Sequence, residues 1–507
     1  MSPPEGAGRP IAAGLLKTVA HVLGSVLLFV AIAMAISAAV SVVYAEHETA
    51  VLIGAAAGVT AGLGLATRRM VRRPKTITVR QGFATVGMAW FVISIFGSLP
   101  YLLTVAFTPA DFLGDGAFTM ISNAIFETAS GFTTTGASVL SDPSVLPRGL
   151  SFWRAMTQWL GGMGVIVLGV AILPLLGTGG MQLARAESPG PTPDRLTPRF
   201  QETAKRLWLL YALLTALEVV FLAFGDMTGF EAVIHSLTTM STGGFGTEPT
   251  SLVAFSEYTQ WVITFFMFAA GVSFALHFRA WSKPKLYWES SEFRLYTFIT
   301  VLAVVIITGG LLSGASLMSA LGDAAFNAIS LTTTTGYAST DFGLWREALQ
   351  IMVVGLMFLG GMAGSTAGGM KTFRIGVLSK AAYADLRRLV HPRGIFVPRF
   401  GGKRVTDPII EAVQSYFLFY IFLFMTGTFL LAFIDSNLGT GLDLVTATSA
   451  VAASIGNIGP GLGEVGPMSN YAELTDAAKW LLSSLMIVGR LEIFPVLVLF
   501  TKDLWRR

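Results

Sequence analysis

The residues of this chain that can do chemistry are oxygens and glycines. In GFTTTGAS, Gly131–Ser138, three hydroxyls stand in a row on Thr133, Thr134 and Thr135, and Gly136 follows. Related runs recur as MSTGGF at Met240–Phe245, TTTTGY at Thr332–Tyr337 and IGNIGP at Ile455–Pro460. A glycine holds the equivalent place in each, at Gly136, Gly244, Gly336 and Gly459, with spacings of 108, 92 and 123 residues. Recurrence at roughly a hundred residues marks an architecture built from repeats. A cation stripped of its water needs oxygens at fixed positions, and a ring of backbone carbonyls supplies them. Aiming successive carbonyls at one axis demands backbone angles that glycine reaches without a Cβ penalty. The candidate ion-binding residues are therefore Thr134, Thr135 and Gly136; Thr242, Gly243 and Gly244; Thr334, Thr335 and Gly336; and Asn457, Ile458 and Gly459. Within them, Thr134, Thr135, Thr242, Gly243, Thr334, Thr335, Asn457 and Ile458 are expected to hold the ion itself. One TTTG alone favours a helix C-cap or tight turn; four in matching places favour a ring. The runs contain no carboxylate, which points to a monovalent cation over calcium. They are also unequal: Gly456–Asn457–Ile458–Gly459 lacks the hydroxyls, and Ser241–Gly244 is intermediate. A less regular ring with looser selectivity is expected.

Two further features bear on such a path. GGMAGSTAGGMK, Gly360–Lys371, packs Gly360, Gly361, Gly364, Gly368 and Gly369 around Ser365 and Thr366. At ~1 kcal/mol per glycine relative to alanine, a steady helix is disfavoured there. Close helix packing through small residues is the alternative; the density favours an irregular loop inside the membrane, a natural gate that ends at Lys371. Arg490 lies in the apolar run SSLMIVGRLEIFPVLVLF. Two residues from Glu492, it does not share a helix face with it. A charge at membrane depth belongs in a cavity or against a partner, so Arg490 is expected to face the path as an electrostatic barrier. His235 reads as a packed or hydrogen-bonded residue of the second short helix, and Glu127 as a tie between the first and its neighbours.

The elements that must position these residues are membrane helices. Hydrophobic residues make up 53% of the 507, charged residues only 13%, and the mean hydropathy is +0.66; a soluble domain carries about 25% charged residues. There is no cysteine, the five histidines show no metal spacing, and no nucleophile–base pair stands out, so enzyme chemistry has no support. The pI near 9.2 reads as basic cytoplasmic loops, not nucleic-acid binding. Leu15–Tyr44 is the first crossing and is too long for a signal peptide; Val51–Ala66 is the second. Thr67–Arg80 is basic and so cytoplasmic, which puts the N-terminus inside. Four units of outer crossing, short re-entrant helix, polar loop and inner crossing follow: Phe83–Val105, Gly116–Ser130 and Trp153–Leu176; Leu207–Phe224, Phe230–Thr239 and Tyr258–Phe278; Leu295–Leu312, Leu317–Leu331 and Leu349–Gly361; Ala412–Ile434, Leu442–Ser454 and Trp480–Phe500. The expected fold is an all-α polytopic membrane protein, with ten crossings, four pore helices around a central pore and both termini cytoplasmic. Its segments are 1–80, the leading helix pair; 81–180, pore repeat 1; 181–282, a cytoplasmic loop and repeat 2; 283–404, repeat 3 with the gating loop and a basic segment; and 405–507, repeat 4.

Phe126–Ala137 (FETASGFTTTGA), MSTGGF, LTTTTGY and Gly456–Gly463 (GNIGPGLG) together resemble the TrkH family of the Trk/Ktr/HKT potassium transporters. So do Gln158–Pro174, RAESPGP at Arg185–Pro191, LTPRFQETAK at Leu196–Lys205, the Gly360–Lys371 run and GRLEIF at Gly489–Phe494. The two leading helices resemble TrkH more than the shorter KtrB branch. The resemblance implies K⁺ uptake across a bacterial cytoplasmic membrane, with the four glycines setting selectivity. A serine at the first goes with sodium permeation in plant relatives. It further implies an intramembrane gating loop at Gly360–Lys371, a pore arginine at Arg490, a homodimer in membrane lipid, and a cytosolic ring of nucleotide-sensing TrkA subunits. No organic cofactor is implied for this chain, which has no GxGxxG unit of its own. Symport of K⁺ with H⁺ or Na⁺ is the alternative, against which stands the absence of a visible acidic relay in the spans.

Overall fold

The computed structural model describes residues 10–71, 78–108, 112–172, 198–438 and 441–505. Part of the basic Thr67–Arg80 loop, the end of Trp153–Leu176, all of Arg185–Pro191 and the start of Leu196–Lys205 lie outside them. The chain forms two compact units: 1–129 with 145–154 and 491–507, and 130–144 with 155–490.

In the first unit the leading helices Pro10–Val43 and His47–Met70 reverse at Ala45, which takes φ +59°. Their apolar runs exceed the ~20 residues that span a bilayer. They touch backbone to backbone at Gly24 and Gly64, where a Cβ on either would lie 2.8 Å from the other's carbonyl oxygen, the close approach that small residues permit. The Glu46 carboxylate accepts from the amides of Arg148 and Gly149, at 2.6 and 3.1 Å, satisfying free N–H groups at the start of Arg148–Ile172. The continuous crossing expected over Phe83–Val105 is instead two helices, Val79–Gly97 and Leu99–Phe107, joined at Ser98. Pro100 lies at the start of the second, where its missing N–H does no harm. Together they make a 28-residue span. Glu127 and Arg154 form a buried ion pair at 2.6 Å, so Glu127 does tie its short helix to a neighbour.

The short helices are Ala117–Phe132, Gly229–Met240, Leu317–Thr332 and Leu444–Gly456. At 12 to 16 residues they reach roughly 18–24 Å and stop short of a ~30 Å hydrocarbon core. Thr228, Ser316 and Asp443 cap the last three, each accepting from a backbone N–H three residues on.

The inner helices are where the second unit departs from a smooth bundle. The crossing expected over Tyr258–Phe278 is Glu257–Ala270 and Phe274–Ala280, bent by 97° at Gly271–Ser273. The third inner helix ends at Met357, not Gly361, and helix resumes at Thr372. The fourth, expected to run through Phe500, ends at Arg490; helix restarts at Phe494 after Glu492 and Ile493, both at positive φ. Pro495 cannot donate an intrahelical bond, which suits a restart there. Among the described residues five helices are long and apolar enough to cross, or seven if each bent pair is one span. The expected ten require, in addition, Arg148–Ile172 and Pro198–Leu222 beside the undescribed stretch and the short Glu347–Met357.

Candidate functional site

All four polar loops fall in the second unit, and each is built on the end of its short helix in the same way. Thr134, Thr242, Thr334 and Asn457 take φ of +52°, +54°, +59° and +55°. The N–H of each reaches back three residues, to the carbonyls of Gly131, Thr239, Leu331 and Ser454. The next N–H, on Thr135, Gly243, Thr335 and Ile458, reaches back five, to Ser130, Thr238, Ser330 and Ala453, at 2.8–2.9 Å. This double closure is the Schellman helix end. Helix cap and polar loop are therefore one structure. Glycine usually occupies its left-handed position; three threonines and an asparagine do so here, a strained choice held by the surroundings.

Two residues further on, the glycines take positive φ as well, +85° at Gly136, +75° at Gly244, +82° at Gly336 and +100° at Gly459. They also close a ring. A Cβ on Gly136 would overlap the Gly243 carbonyl oxygen, one on Gly244 that of Thr335, and one on Gly336 that of Ile458. One on Gly459 would lie 2.8 Å from the oxygen of Thr135. Each loop's glycine thus lies against the carbonyl that precedes the glycine of the next loop, in the order first, second, third, fourth, first. The sequence-predicted residues of all four loops are brought together, and Thr134, Thr135, Thr242, Thr334, Thr335, Asn457 and Ile458 are fully buried. The ring's oxygens are neutral carbonyls and hydroxyls.

The loops keep the inequality read from sequence. In the first and third, threonine hydroxyls pair, Thr133 with Thr135 at 2.7 Å and Thr333 with Thr335 at 2.8 Å. In the fourth, Asn457 Nδ2 instead donates to Thr135 Oγ1 at 3.0 Å and to the Met486 carbonyl at 2.8 Å. The buried Thr134 hydroxyl has no hydrogen-bond partner among the described residues, while its counterpart Thr334 accepts from the Gly368 amide at 2.6 Å.

Residues 358–371 form an irregular stretch pinned to the helix ends that carry the ring. Thr366 Oγ1 donates to the Met240 carbonyl at 3.1 Å. Gly369 N–H donates to Gly456 O at 3.0 Å. The break in the second inner helix receives the same stretch: Met362 N–H donates to Gly271 O at 2.8 Å, and Phe274 N–H to Gly364 O at 3.0 Å. Thr372 Oγ1 closes onto Gly360 O at 2.8 Å, Glu292 accepts from the Ala363 amide at 2.7 Å, and Lys371 Nζ donates to Ala367 O. Gly369, at φ +66°, has the Leu359 carbonyl where a Cβ would be. Ser365 and Thr366 are fully buried, and Gly361 lies close against Gly271 O. Arg490, 3% exposed, donates from Nη1 to Thr366 O at 2.7 Å, with Nη2 3.5 Å from Gly161 O. It is engaged with the irregular stretch.

Sequence reading passed over two residues. Gln158 is fully buried; its Nε2 donates to Gly243 O at 2.7 Å and its Oε1 accepts from Phe245 N–H at 3.1 Å. It braces the second loop from the first repeat's inner helix. Glu218, in Pro198–Leu222, is fully buried; among the described residues neither carboxyl oxygen has a hydrogen-bond partner, and the Thr239 side chain lies near. An acid hidden in an apolar helix leaves no periodicity to find.

Four loops closing one ring of neutral oxygens inside apolar helices define a membrane cation transporter. The chain belongs to the TrkH family of cation transport proteins, whose family model matches residues 47–506. The Trk system potassium uptake protein TrkH of Vibrio parahaemolyticus serotype O3:K6 is 40% identical over 444 residues, covering 86% of this chain and 88% of that relative. The TrkH potassium uptake protein of Halomonas elongata is 38% identical over 502 residues, 97% of this chain and 100% of the relative. The crystal structure of the potassium transporter TrkH from Vibrio parahaemolyticus matches with a TM-score of 0.86 at 35% identity, over 97% of this chain and 100% of that one.

Proposed function

We propose that this chain takes up K⁺ across the bacterial cytoplasmic membrane, with both termini in the cytoplasm, through the four-loop ring. The observation that carries the reading is the cyclic contact of Gly136, Gly244, Gly336 and Gly459 with the carbonyls of Gly243, Thr335, Ile458 and Thr135. A ring of neutral oxygens replaces the water of a weakly hydrated monovalent ion without trapping it. Relatives named as potassium uptake proteins support K⁺ as that ion. Thr134, Thr135, Thr242, Gly243, Thr334, Thr335, Asn457 and Ile458 hold it. The stretch Gly360, Gly361, Gly364, Ser365, Thr366, Gly368, Gly369 and Lys371 is the gate, and Arg490 clamps its Thr366 carbonyl. Two copies in the bilayer, opened by cytosolic TrkA-like nucleotide-sensing subunits, complete the system. The test is Rb⁺ uptake into proteoliposomes with and without such a partner. Partner-stimulated Rb⁺ flux well above Na⁺ flux is expected; equal fluxes would reject the filter.

Coupling to protons would need a relay, and Glu218 is a buried acid beside Thr239 of the second short helix. An amide of the same shape meets its surroundings without charge. Glu218→Gln is expected to retain Rb⁺ flux, with an unaltered response to an imposed pH gradient. Abolished flux in a folded variant would favour symport.

A further inference from the structure

The four junctions of the ring are not held alike. Gln158 braces the first–second junction. The irregular stretch grips both loops of the third–fourth, through Thr334 Oγ1 and Gly456 O. At the fourth–first, Asn457 donates to Thr135 Oγ1, and Tyr471 donates from its hydroxyl to Gly459 O at 2.7 Å and from its amide to Ser138 O at 2.8 Å. The second–third junction carries a network of side chains that lies outside every residue assigned above.

Its centre is Tyr337, the residue after the third glycine, 1% exposed. The phenol donates to Phe245 O, the carbonyl following the second glycine, at 3.2 Å. Thr238 Oγ1 lies 2.5 Å and His235 Nδ1 3.0 Å from the same oxygen, both from the second short helix. His235 Nε2 lies 3.2 Å from Thr247 Oγ1, three residues past the second glycine. One proton arrangement satisfies every atom. The phenol donates to Phe245 O and accepts from Thr238 Oγ1–H and from His235 Nδ1–H, while Nε2 accepts from Thr247. His235 is fully buried and packs edge-on to Phe255 at 5.5 Å. Ser330 Oγ fixes the Tyr337 carbonyl at 2.6 Å, and Leu252 N–H reaches Ala338 O at 3.1 Å.

Resting on the reading of the ring as a K⁺ filter, we infer that Tyr337 and His235 form a lateral latch that sets ion discrimination by fixing the distance between the second and third loops. A smaller ion is coordinated well only if the carbonyls around it move inward. Hydrogen bonds from one loop's perimeter to the next oppose that movement. Apart from steric contact, a latch anchored on a helix resists it more than one anchored on another loop. Tyr337 and His235 touch no ion on this view; they are positioning residues for the carbonyls that do.

The experiment compares Rb⁺ and Na⁺ uptake in proteoliposomes for wild type, Tyr337→Phe and Thr247→Val. Tyr337→Phe keeps the ring and removes the shared hydroxyl, and about a tenfold fall in the Rb⁺/Na⁺ ratio is expected from the lost hydrogen bonds. Thr247→Val leaves Tyr337 its partners and frees only the far side of His235, so a smaller fall is expected; it also keeps the inference testable if the first variant does not fold. A purely structural role would lower both fluxes together and the melting temperature with them, at an unchanged ratio, and would overturn the latch. A wild-type protein with no Rb⁺ preference would instead overturn the filter reading, and the latch with it.

Discussion

Gly136→Ser is expected to lower the Rb⁺/Na⁺ flux ratio by at least about tenfold, with K⁺ flux reduced in absolute terms. Two independent costs meet at this position. A residue with a Cβ at φ +85° loses roughly 1–2 kcal/mol in the left-handed region, which alone is about a factor of ten in an equilibrium. The added carbon would also overlap Gly243 O. That oxygen cannot swing away freely, because Gln158 Nε2 holds it at 2.7 Å. The strain must therefore be taken up within the ring, by moving the first loop off the second. Because the contacts are cyclic, Gly336→Ser is expected to act in the same direction through Ile458 O. The measurement is paired Rb⁺ and Na⁺ uptake at equal reconstituted amounts. An unchanged ratio in folded Gly136→Ser protein would contradict the assignment of Gly136 to the filter.

What the chain disclosed in advance followed from how each feature is encoded. The ring was legible because its glycines repeat at fixed places and because short apolar runs before them cannot cross a bilayer. The left-handed Thr134, Thr242 and Thr334 were not legible, since threonine is an unlikely occupant of that conformation and only the packed surroundings impose it. The breaks were hidden for a different reason. FMFAAGVSFALHF, Phe266–Phe278, is apolar but for Ser273 and His277, and hydropathy reports depth in a membrane but not direction. Its 97° bend depends on Gly271 O and Phe274 N–H finding Met362 and Gly364, partners some ninety residues away. The glycine-rich stretch announced its irregularity through composition, yet its attachment to Met240, Thr334 and Gly456 could not be read from it. His235 was legible as a packed or hydrogen-bonded residue, but not its partner Tyr337, which lies in another repeat.

The remaining large effect is expected at Arg490. Its Nη1 holds Thr366 O at 2.7 Å, and Thr366 in turn holds Met240 O at 3.1 Å, so the guanidinium secures the middle of the irregular stretch, the proposed gate, to the end of the second short helix. A hydrogen bond from a charged donor is worth ~1.5–3 kcal/mol. Losing it, together with a positive charge that repels cations in the path, should favour the open stretch. Arg490→Ala is expected to raise Rb⁺ flux measured without the proposed cytosolic partner by about tenfold or more, and to shrink any stimulation that such a partner adds. The Rb⁺/Na⁺ ratio should change far less than in Gly136→Ser, because the glycine–carbonyl contacts of the ring do not involve Arg490. Arg490→Lys separates the two contributions. It keeps a positive charge but loses the planar fork that reaches Thr366 O. If clamping dominates, the lysine variant leaks as the alanine variant does; if charge dominates, it stays as tight as wild type. Lowered flux in folded Arg490→Ala protein would oppose both roles and would make the arginine a residue that the conducting state itself requires.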